Sequence, residues 1–272
     1  MKWKNYQKIS KLLLCLFLFF INILSAQQKS KVTNIKGTSL IVGDVSPNQA
    51  KIEALNDAKI NALKKAGIVE NINSNQLLFT SQKQNDYSQF FTSVIQSEMQ
   101  GAIESYEIKS ERINCLNDNE IIYEASIDAT VIKYDSKPDV SFDANIEGIK
   151  SVYNNDEKLS FDVTTTQTSY LTIFNITDKE AFVIYPNLYE KQMKLTQTSS
   201  YKFPIEKIDY TLHTDLKIQE TNRLIFVFTK KSIQFIKMDK DQNTTNENIF
   251  SWIYSITPDQ RKIEYFTLSI QK

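Results

Sequence analysis

The pattern of apolar and polar positions changes several times along the chain, and each change predicts a different element. Residues 12–24 are almost entirely apolar, and a polar stretch follows at 27–34. The β-branched and apolar residues around Gly37 and Gly43 predict a strand over 35–45. The chain is therefore expected to begin with an apolar leader, a polar connection and a first strand.

A helix is predicted after this strand, with recognisable signals at both ends. Ser46 at the N-cap, Pro47 at the first helical position and Gln49 at the third form a capping box. Gly67 follows two lysines and an alanine, as expected just past a helix C-terminus. Alanines at every fourth position lie on one face and predict close packing against a sheet or a second helix. They are Ala50, Ala54, Ala58, Ala62 and Ala66.

A second amphipathic helix and a β-hairpin are predicted next. Apolar residues recur at helical spacing over 86–99, just before Gly101. Residues 103–113 predict a strand, 116–120 contain a cluster of turn residues, and apolar and polar residues alternate over 123–131. The first unit is thus predicted as strand, helix, helix and hairpin.

Beyond Pro138 the pattern becomes a succession of short strands. Proline disfavours the continuation of a helix or a ladder, so it marks a boundary after residue 136. The later strands favour an all-β sandwich or barrel, with a short helix at 249–256. The predicted fold class is α+β: two helices and a small antiparallel sheet over 35–136, then a mainly β, sandwich or barrel-like domain over 137–272.

The first 26 residues have the features of a secretory signal peptide. Four lysines precede an apolar stretch of about 13 residues, and small residues end it. That stretch is too short for a bilayer core, which needs roughly 20 residues. We predict a signal peptide over 1–26, a tether over 27–34 and a mature chain without a stable transmembrane segment. An uncleaved anchor is the alternative. The predicted location is periplasmic or outer-membrane-associated.

Composition and charge exclude further classes. The chain has 32 basic and 32 acidic side chains and no basic block, so it lacks the electrostatic signature of a nucleic-acid-binding protein. Of its two cysteines, only Cys115 lies outside the predicted signal peptide, which leaves no intrachain disulfide in the mature chain. We expect Cys115 to be buried and inert, and an intermolecular disulfide is the alternative.

Few residues could carry catalytic or metal chemistry. His213 is the sole histidine and has no flanking catalytic pattern, so a structural or surface role is expected. One histidine and two cysteines cannot assemble a typical zinc site. Residues 239–243 begin like a calcium loop but lack its glycine and its final glutamate. The sequence predicts no enzyme and no cofactor, although two close carboxylates, as in a hydrolase, stay open.

Tyrosines of the β domain are the candidate contact residues. Tyrosine can anchor a protein partner or stack on a sugar ring, and half-buried strand positions are the alternative. The candidates are Tyr170, Tyr185, Tyr189, Tyr201 and Tyr210.

The N-terminal half resembles a known family. The strand with Gly37, the helix over 54–66, the stretch 101–108 and the closing hairpin look like the N-terminal domain of flagellar assembly protein T and related small envelope lipoproteins. The resemblance implies a structural or assembly role at the envelope, without an active site.

The C-terminal half resembles the bacterial domain-of-unknown-function family numbered 4384. Four blocks carry this resemblance, at 169–176, 182–187, 201–204 and 220–229. The sequence Tyr185-Pro186-Asn187 is the most characteristic, whereas glycines that are usual near the first turn and before the last block are missing. The family occurs at the ends of envelope proteins, proteases and kinase-like chains, which implies a binding or regulatory module.

Together these observations predict a non-enzymatic exported envelope protein that acts as an assembly, scaffolding or partner-binding factor. The expected partner is another envelope protein. A glycan- or peptidoglycan-binding module is the first alternative, and a carboxylate-dependent hydrolase is the second.

Overall fold

The computed structural model describes residues 28–43, 45–68, 101–117, 120–177, 180–214 and 218–272. Both the predicted signal peptide and the predicted helix over 86–99 lie outside these residues. The described residues form a sheet-rich α+β protein, which confirms the predicted class.

The elements follow one another as two groups along the chain. The N-terminal group contains β1 (Gln28–Ile41), α1 (Pro47–Lys65), β2 (Gly101–Asn117) and β3 (Glu120–Lys133). The C-terminal group contains β4 (Ala144–Glu147), β5 (Val152–Asn154), β6 (Lys158–Leu159), β7 (Phe161–Thr165), β8 (Ser169–Ile176), β9 (Ala181–Tyr185), β10 (Lys194–Leu195), β11 (Tyr201–Phe203), β12 (Tyr210–Thr211), β13 (Gln219–Thr229), β14 (Asn243–Thr244), α2 (Asn246–Ser255) and β15 (Arg261–Gln271). A short 3-10 turn, Pro258–Gln260, precedes β15.

Helix α1 begins at the predicted cap. The backbone N–H of Gln49 donates to Oγ of Ser46 at 3.1 Å, which satisfies one of the unpaired donors of the first turn. The side chain of Gln49 does not complete the predicted capping box, because it donates to Oε1 of Glu53 at 2.9 Å. The serine alone therefore caps this end.

The C-terminal end of α1 forms a Schellman motif. Gly67 has φ +82°, a conformation that glycine adopts without steric cost. Its N–H donates to the carbonyl of Lys64 at 3.0 Å, and the N–H of Ile68 donates to the carbonyl of Leu63 at 3.1 Å. The glycine signal in the sequence is confirmed.

Strands β1, β3 and β2 form an antiparallel sheet in that order. The predicted hairpin is confirmed as β2 and β3. Residues 28–34, predicted as a tether, instead form the first half of β1, where Gln28 lies opposite Lys133 and Val32 opposite Ala129. Polar residues can form such an edge strand because one face of an antiparallel sheet can remain in water.

The alanine face of α1 lies directly on this sheet. Four of the five alanines are fully buried, and Gly37 of β1 faces them. A Cβ atom built on Gly37 would lie 2.1 Å from the backbone N of Ala58 and 2.2 Å from the backbone O of Ala54. Small residues on both sides therefore bring the helix backbone against the strand.

The C-terminal group is organised around a seven-stranded sheet. Its main path is β14-β9-β8-β13-β15-β5, and β10 pairs with β8. Strand β13 shows how both faces are used. Leu224, Phe226 and Phe228 pack with β7 and β11 on one face. Ile225 and Val227 pack with α2 on the other face. A strand buried on both sides explains the continuous apolar sequence of β13.

The two groups of elements share one hydrophobic cluster. Ala102 and Ile132 of the N-terminal sheet pack in the same cluster as α2. The hydroxyl of Tyr134 donates to the carbonyl of Tyr254 at 2.8 Å. The guanidinium of Arg261 lies 5.3 Å from the centroid of the Tyr134 ring. The N-terminal sheet is thus packed directly against the larger domain.

Helix α1 contains one buried lysine, Lys59, which contacts β2. Lys59 is only 8% exposed, and its ammonium lies 4.3 Å from the centroid of the Tyr106 ring. Burial lowers the pKa of Lys59 from 10.5 to about 8. The favourable contact with the aromatic face offsets only part of this desolvation cost.

Replacing Lys59 with methionine is expected to stabilise the protein at pH 7 by about 2 kcal/mol, because it removes a buried charge while keeping the apolar stem. The advantage should shrink between pH 8 and 10.5. In that range the folded chain has released a proton that the unfolded chain still holds, so the stability of the wild type rises with pH relative to the variant. Urea unfolding at pH 7 and pH 10 measures this difference.

Lys65→Met is the matched control, since Lys65 lies exposed on the same helix. It should change the free energy of unfolding by less than about 0.5 kcal/mol at both pH values. A stability difference between Lys59→Met and wild type that is equal at pH 7 and pH 10 would contradict the burial argument.

Candidate functional site

The five candidate tyrosines lie in three different environments. Tyr189 is 75% exposed, on the turn after β9. Tyr170, Tyr201 and Tyr210 are half-buried on β8, β11 and β12. Tyr185, at the end of β9, is completely buried. The candidates therefore do not form one exposed aromatic surface.

The prediction that Tyr185 contacts a partner is wrong, because its side chain is a core residue. The ring packs edge-on against Phe203, with 5.1 Å between ring centroids. The hydroxyl donates to the carbonyl of Lys191 at 3.0 Å and accepts from the N–H of Met193 at 2.9 Å. Tyr185 thus fastens the chain that follows the turn to the end of β9.

Asn187 organises the turn between β9 and β10. Its Oδ1 accepts hydrogen bonds from the N–H groups of Tyr189 and Glu190, both at 2.8 Å. Its Nδ2 donates to the carbonyl of Ile184 at 2.9 Å and to Oε2 of Glu190 at 3.0 Å. Asparagine is favoured in turns because its short amide can replace backbone partners in this way.

A buried carboxylate joins this turn to a second loop. Glu190 is 1% exposed. Its Oε1 accepts from the N–H groups of Ile205 at 2.6 Å and Glu206 at 3.1 Å. Its Oε2 accepts from Asn187 and from the hydroxyl of Tyr210. Four donors compensate the loss of water around this group.

The Glu190 carboxylate can hold loops together but is poorly suited to acid–base chemistry. Both of its oxygens are occupied by protein donors, and its side chain is closed to solvent. A general base must instead reach a substrate proton. The pKa of Tyr210 is raised by burial and by its hydrogen bond to Glu190, which keeps the phenol protonated as a donor.

The other two half-buried tyrosines also have internal roles. The hydroxyl of Tyr201 accepts from the N–H of Thr196 at 2.9 Å and lies 2.8 Å from its Oγ1. These hydrogen bonds lower the pKa of Tyr201. Tyr170 lies opposite Lys194 where β8 pairs with β10. The alternative of half-buried strand tyrosines thus describes Tyr170, Tyr201 and Tyr210.

The exposed part of this region is a small apolar tip. Leu188 and Tyr189 are 76% and 75% exposed at adjacent positions of the turn. Ile205 is also partly exposed, on the loop that the Glu190 carboxylate joins to the turn. We refer to Leu188, Tyr189 and Ile205 as the apolar tip. Its side chains face water, while the backbone beneath is held by Asn187 and Glu190.

The sequence identified Tyr189 but missed Leu188, Ile205 and Glu190. Asn187 could be recognised from the sequence, because it ends the Tyr-Pro-Asn block. The peptide bonds before Pro186 and Pro204 are both cis. No sequence signal indicates the role of Glu190, since a glutamate is normally exposed and its hydrogen-bond donors lie far along the chain.

The remaining reactive side chains are dispersed. Nδ1 of His213 lies 2.8 Å from Oδ1 of Asp156, and both side chains are more than half exposed. Cys115 is exposed, so the expectation of a buried thiol is wrong. It lies opposite Ile121, close to the connection between β2 and β3. Among the described residues, no three His, Cys, Asp or Glu side chains come together as a metal site would require. In the same part of the chain, no helix is both long and apolar enough to span a membrane.

Comparison with known families gives a match to one part of the chain. Residues 152–231 match the family described as Domain of unknown function (DUF4384). The matched segment runs from β5 to just beyond β13 and contains the apolar tip and its supporting network. The predicted C-terminal resemblance is confirmed over these residues. No match supports the resemblance of the N-terminal half to flagellar assembly protein T, which stays a prediction. No curated protein matches the chain.

Proposed function

We propose that this chain is a non-enzymatic exported envelope protein that binds another envelope protein and serves in assembly or scaffolding. The apolar tip carries the proposal. Two large apolar side chains, Leu188 and Tyr189, are adjacent and exposed, on a turn whose backbone is held by Asn187 and the buried Glu190. A rigid turn loses little conformational entropy on binding, and tyrosine is a frequent anchor of protein interfaces.

The proposed location and organisation rest on the sequence. The lysine-rich, apolar beginning supports a signal peptide over 1–26 and export to the periplasm or outer membrane. We infer a boundary near residue 136 and a sandwich-like β domain beyond it. The aromatic cluster around Phe161, Phe203 and Phe226, which lies between the large sheet and β7 and β11, supports the sandwich.

A protein partner suits the apolar tip better than a glycan does. The residue next to the tyrosine, Leu188, adds exposed aliphatic surface, whereas a sugar site needs polar groups placed beside the ring. The exposed ring of Tyr189 still favours glycan binding as the second candidate function.

Replacing both Leu188 and Tyr189 with serine should reduce partner recovery about tenfold or more, because it removes the exposed anchors but leaves Asn187 and Glu190 in place. The measurement is recovery of the cross-linked complex from the envelope, compared between the wild type and the double variant. Ile218→Ser is the matched control, since this isoleucine is highly exposed elsewhere.

Equal recovery with the wild type and the double variant would contradict the proposal. Co-sedimentation with purified peptidoglycan, reduced in the same variant, would instead support the glycan candidate. The double variant and the Ile218→Ser control should both have the circular dichroism spectrum of the wild type. The three replaced residues are exposed and do not pack in the core.

A further inference from the structure

Strand β1 is an edge strand of the N-terminal sheet. The sheet order is β1-β3-β2, so β1 pairs with β3 on one side only. The backbone N–H and C=O groups on the other side of an edge strand can accept a strand from another chain. Two copies of one chain carry identical edges and can join them about a two-fold axis. Pairing of β1 with β1 of a second copy is therefore a contact that this fold must either use or prevent.

The two halves of β1 differ in how well they suit such pairing. The register with β3 shifts between Val32 and Ile35, which marks a β-bulge, and bulges are one of the features that protect sheet edges. Over residues 35–41 the register is regular. Three of these seven residues are isoleucine or leucine, and none is proline. The second half of β1 is thus the part of the edge that its own sequence and geometry leave suited to pairing.

A row of polar side chains on α1 lies along this second half. Its members occupy every fourth position, each one residue before a buried alanine, so they share one side of the helix. We refer to them as the polar row: Gln49, Glu53, Asp57 and Asn61. Oε2 of Glu53 accepts a hydrogen bond from the hydroxyl of Ser39 at 2.6 Å. The polar row therefore contacts β1 while the neighbouring alanines pack on the sheet.

Two members of the polar row bind the backbone of β1. Oδ2 of Asp57 accepts from the N–H of Thr38 at 3.0 Å. Nδ2 of Asn61 donates to the carbonyl of Lys36 at 2.9 Å. Lys36 and Thr38 are alternate residues of the strand, so these backbone groups point to the same side, away from β3. They are the groups that an added strand would need.

We propose that Asp57 and Asn61 block the outer edge of β1, and that without them β1 pairs with β1 of a second copy. An approaching strand must displace both side chains, and it then gains only hydrogen bonds of the kind that it breaks. It must also remove water from the Asp57 carboxylate, which is unfavourable. The contact thus makes strand addition at this edge unprofitable. This device goes beyond the proposed function and does not involve the apolar tip.

The combination of Asp57→Ala with Asn61→Ala tests the device. It frees the N–H of Thr38 and the carbonyl of Lys36, and alanine preserves the helix. Sedimentation velocity of the protein, purified from cells that express the full chain, measures its mass. We expect the weight-average mass of the double variant to rise toward about twofold at about 100 µM, since a contact of a few strand residues is a weak interface. The wild type should show no such rise over the same concentrations.

Thr38→Pro, added to the double variant, identifies the edge that forms the contact. Proline removes the N–H of Thr38, which points away from β3, so the pairing with β3 is kept while strand addition is blocked. This triple variant should return to the mass of the wild type. Asp57→Asn is the matched control: it keeps an oxygen acceptor for Thr38 and should also have the mass of the wild type.

Two results would overturn the proposal. One is a double variant whose mass equals that of the wild type at all concentrations. The other is an increase in mass that persists with Thr38→Pro, as association through unfolded chain or through another surface would. Circular dichroism of the double variant should match the wild type, because both side chains are partly exposed on α1. Neither result depends on the Leu188 and Tyr189 variant, so the two proposals can fail separately.

Discussion

Replacing Gly37 with alanine is expected to lower the free energy of unfolding by about 3 kcal/mol or more. The added methyl group would lie 2.1 Å from the backbone N of Ala58 and 2.2 Å from the backbone O of Ala54. Because the obstructing atoms belong to the helix backbone, no side-chain rotation can relieve the contact. The helix must move away from β1, and the packing of four buried alanines is lost with it.

Urea unfolding followed by circular dichroism measures this effect. Thr38→Ala is the matched control, since Thr38 is the next residue of β1 and its side chain is exposed. It should cost less than about 1 kcal/mol. Ala58→Gly combined with Gly37→Ala should not restore stability, because the clash is with backbone atoms. A Gly37→Ala protein as stable as the Thr38→Ala protein would show that the close approach is not needed.

The sequence predicts the N-terminal elements well where the determining signal is local. Ser46 and Gly67 define the two ends of α1 through hydrogen bonds made within a few residues. The alternating apolar residues of β3 from Ala125 to Val131 share the face that packs in the α1 cluster, so the hairpin could be recognised without knowledge of its partners. Local rules suffice where each element supplies its own evidence.

Predictions that depend on distant partners are less successful. Residues 28–34 are polar and looked like a tether, but pairing with β3 makes them a strand. Cysteine is usually buried, which predicts Cys115 in the core, yet it is exposed close to the connection between β2 and β3. In both cases residue type is a weaker guide than the position of another element.

The candidate site divides in the same way. Tyr185 ends the apolar strand β9 and is buried, whereas Tyr189 lies among polar residues and is exposed. The hydrogen bonds of the Tyr185 hydroxyl to the chain after the turn became visible only in the structure. Glu190 and Lys59 are buried charges, which composition alone would place at the surface. Their environments come from residues far along the chain, so the structure was needed to find both.

The buried carboxylate of Glu190 leads to the second large effect. Glu190→Ala is expected to lower the free energy of unfolding by about 3 to 4 kcal/mol. The substitution leaves the N–H groups of Ile205 and Glu206, the Nδ2 of Asn187 and the hydroxyl of Tyr210 without their acceptor. Glu190→Gln should cost less, about 2 kcal/mol, since one oxygen is kept while the new amide faces donors.

Urea unfolding gives the global effect, and amide hydrogen exchange gives its location. In Glu190→Ala the N–H groups of Ile205 and Glu206 should exchange faster than in wild type, because their acceptor is gone. Glu206→Ala is the matched control: it removes an exposed carboxylate from the same loop and should change stability by less than about 0.5 kcal/mol. If exchange at Ile205 is unchanged in Glu190→Ala, the carboxylate does not hold the two loops together, and the rigid turn beneath Leu188 and Tyr189 needs another cause.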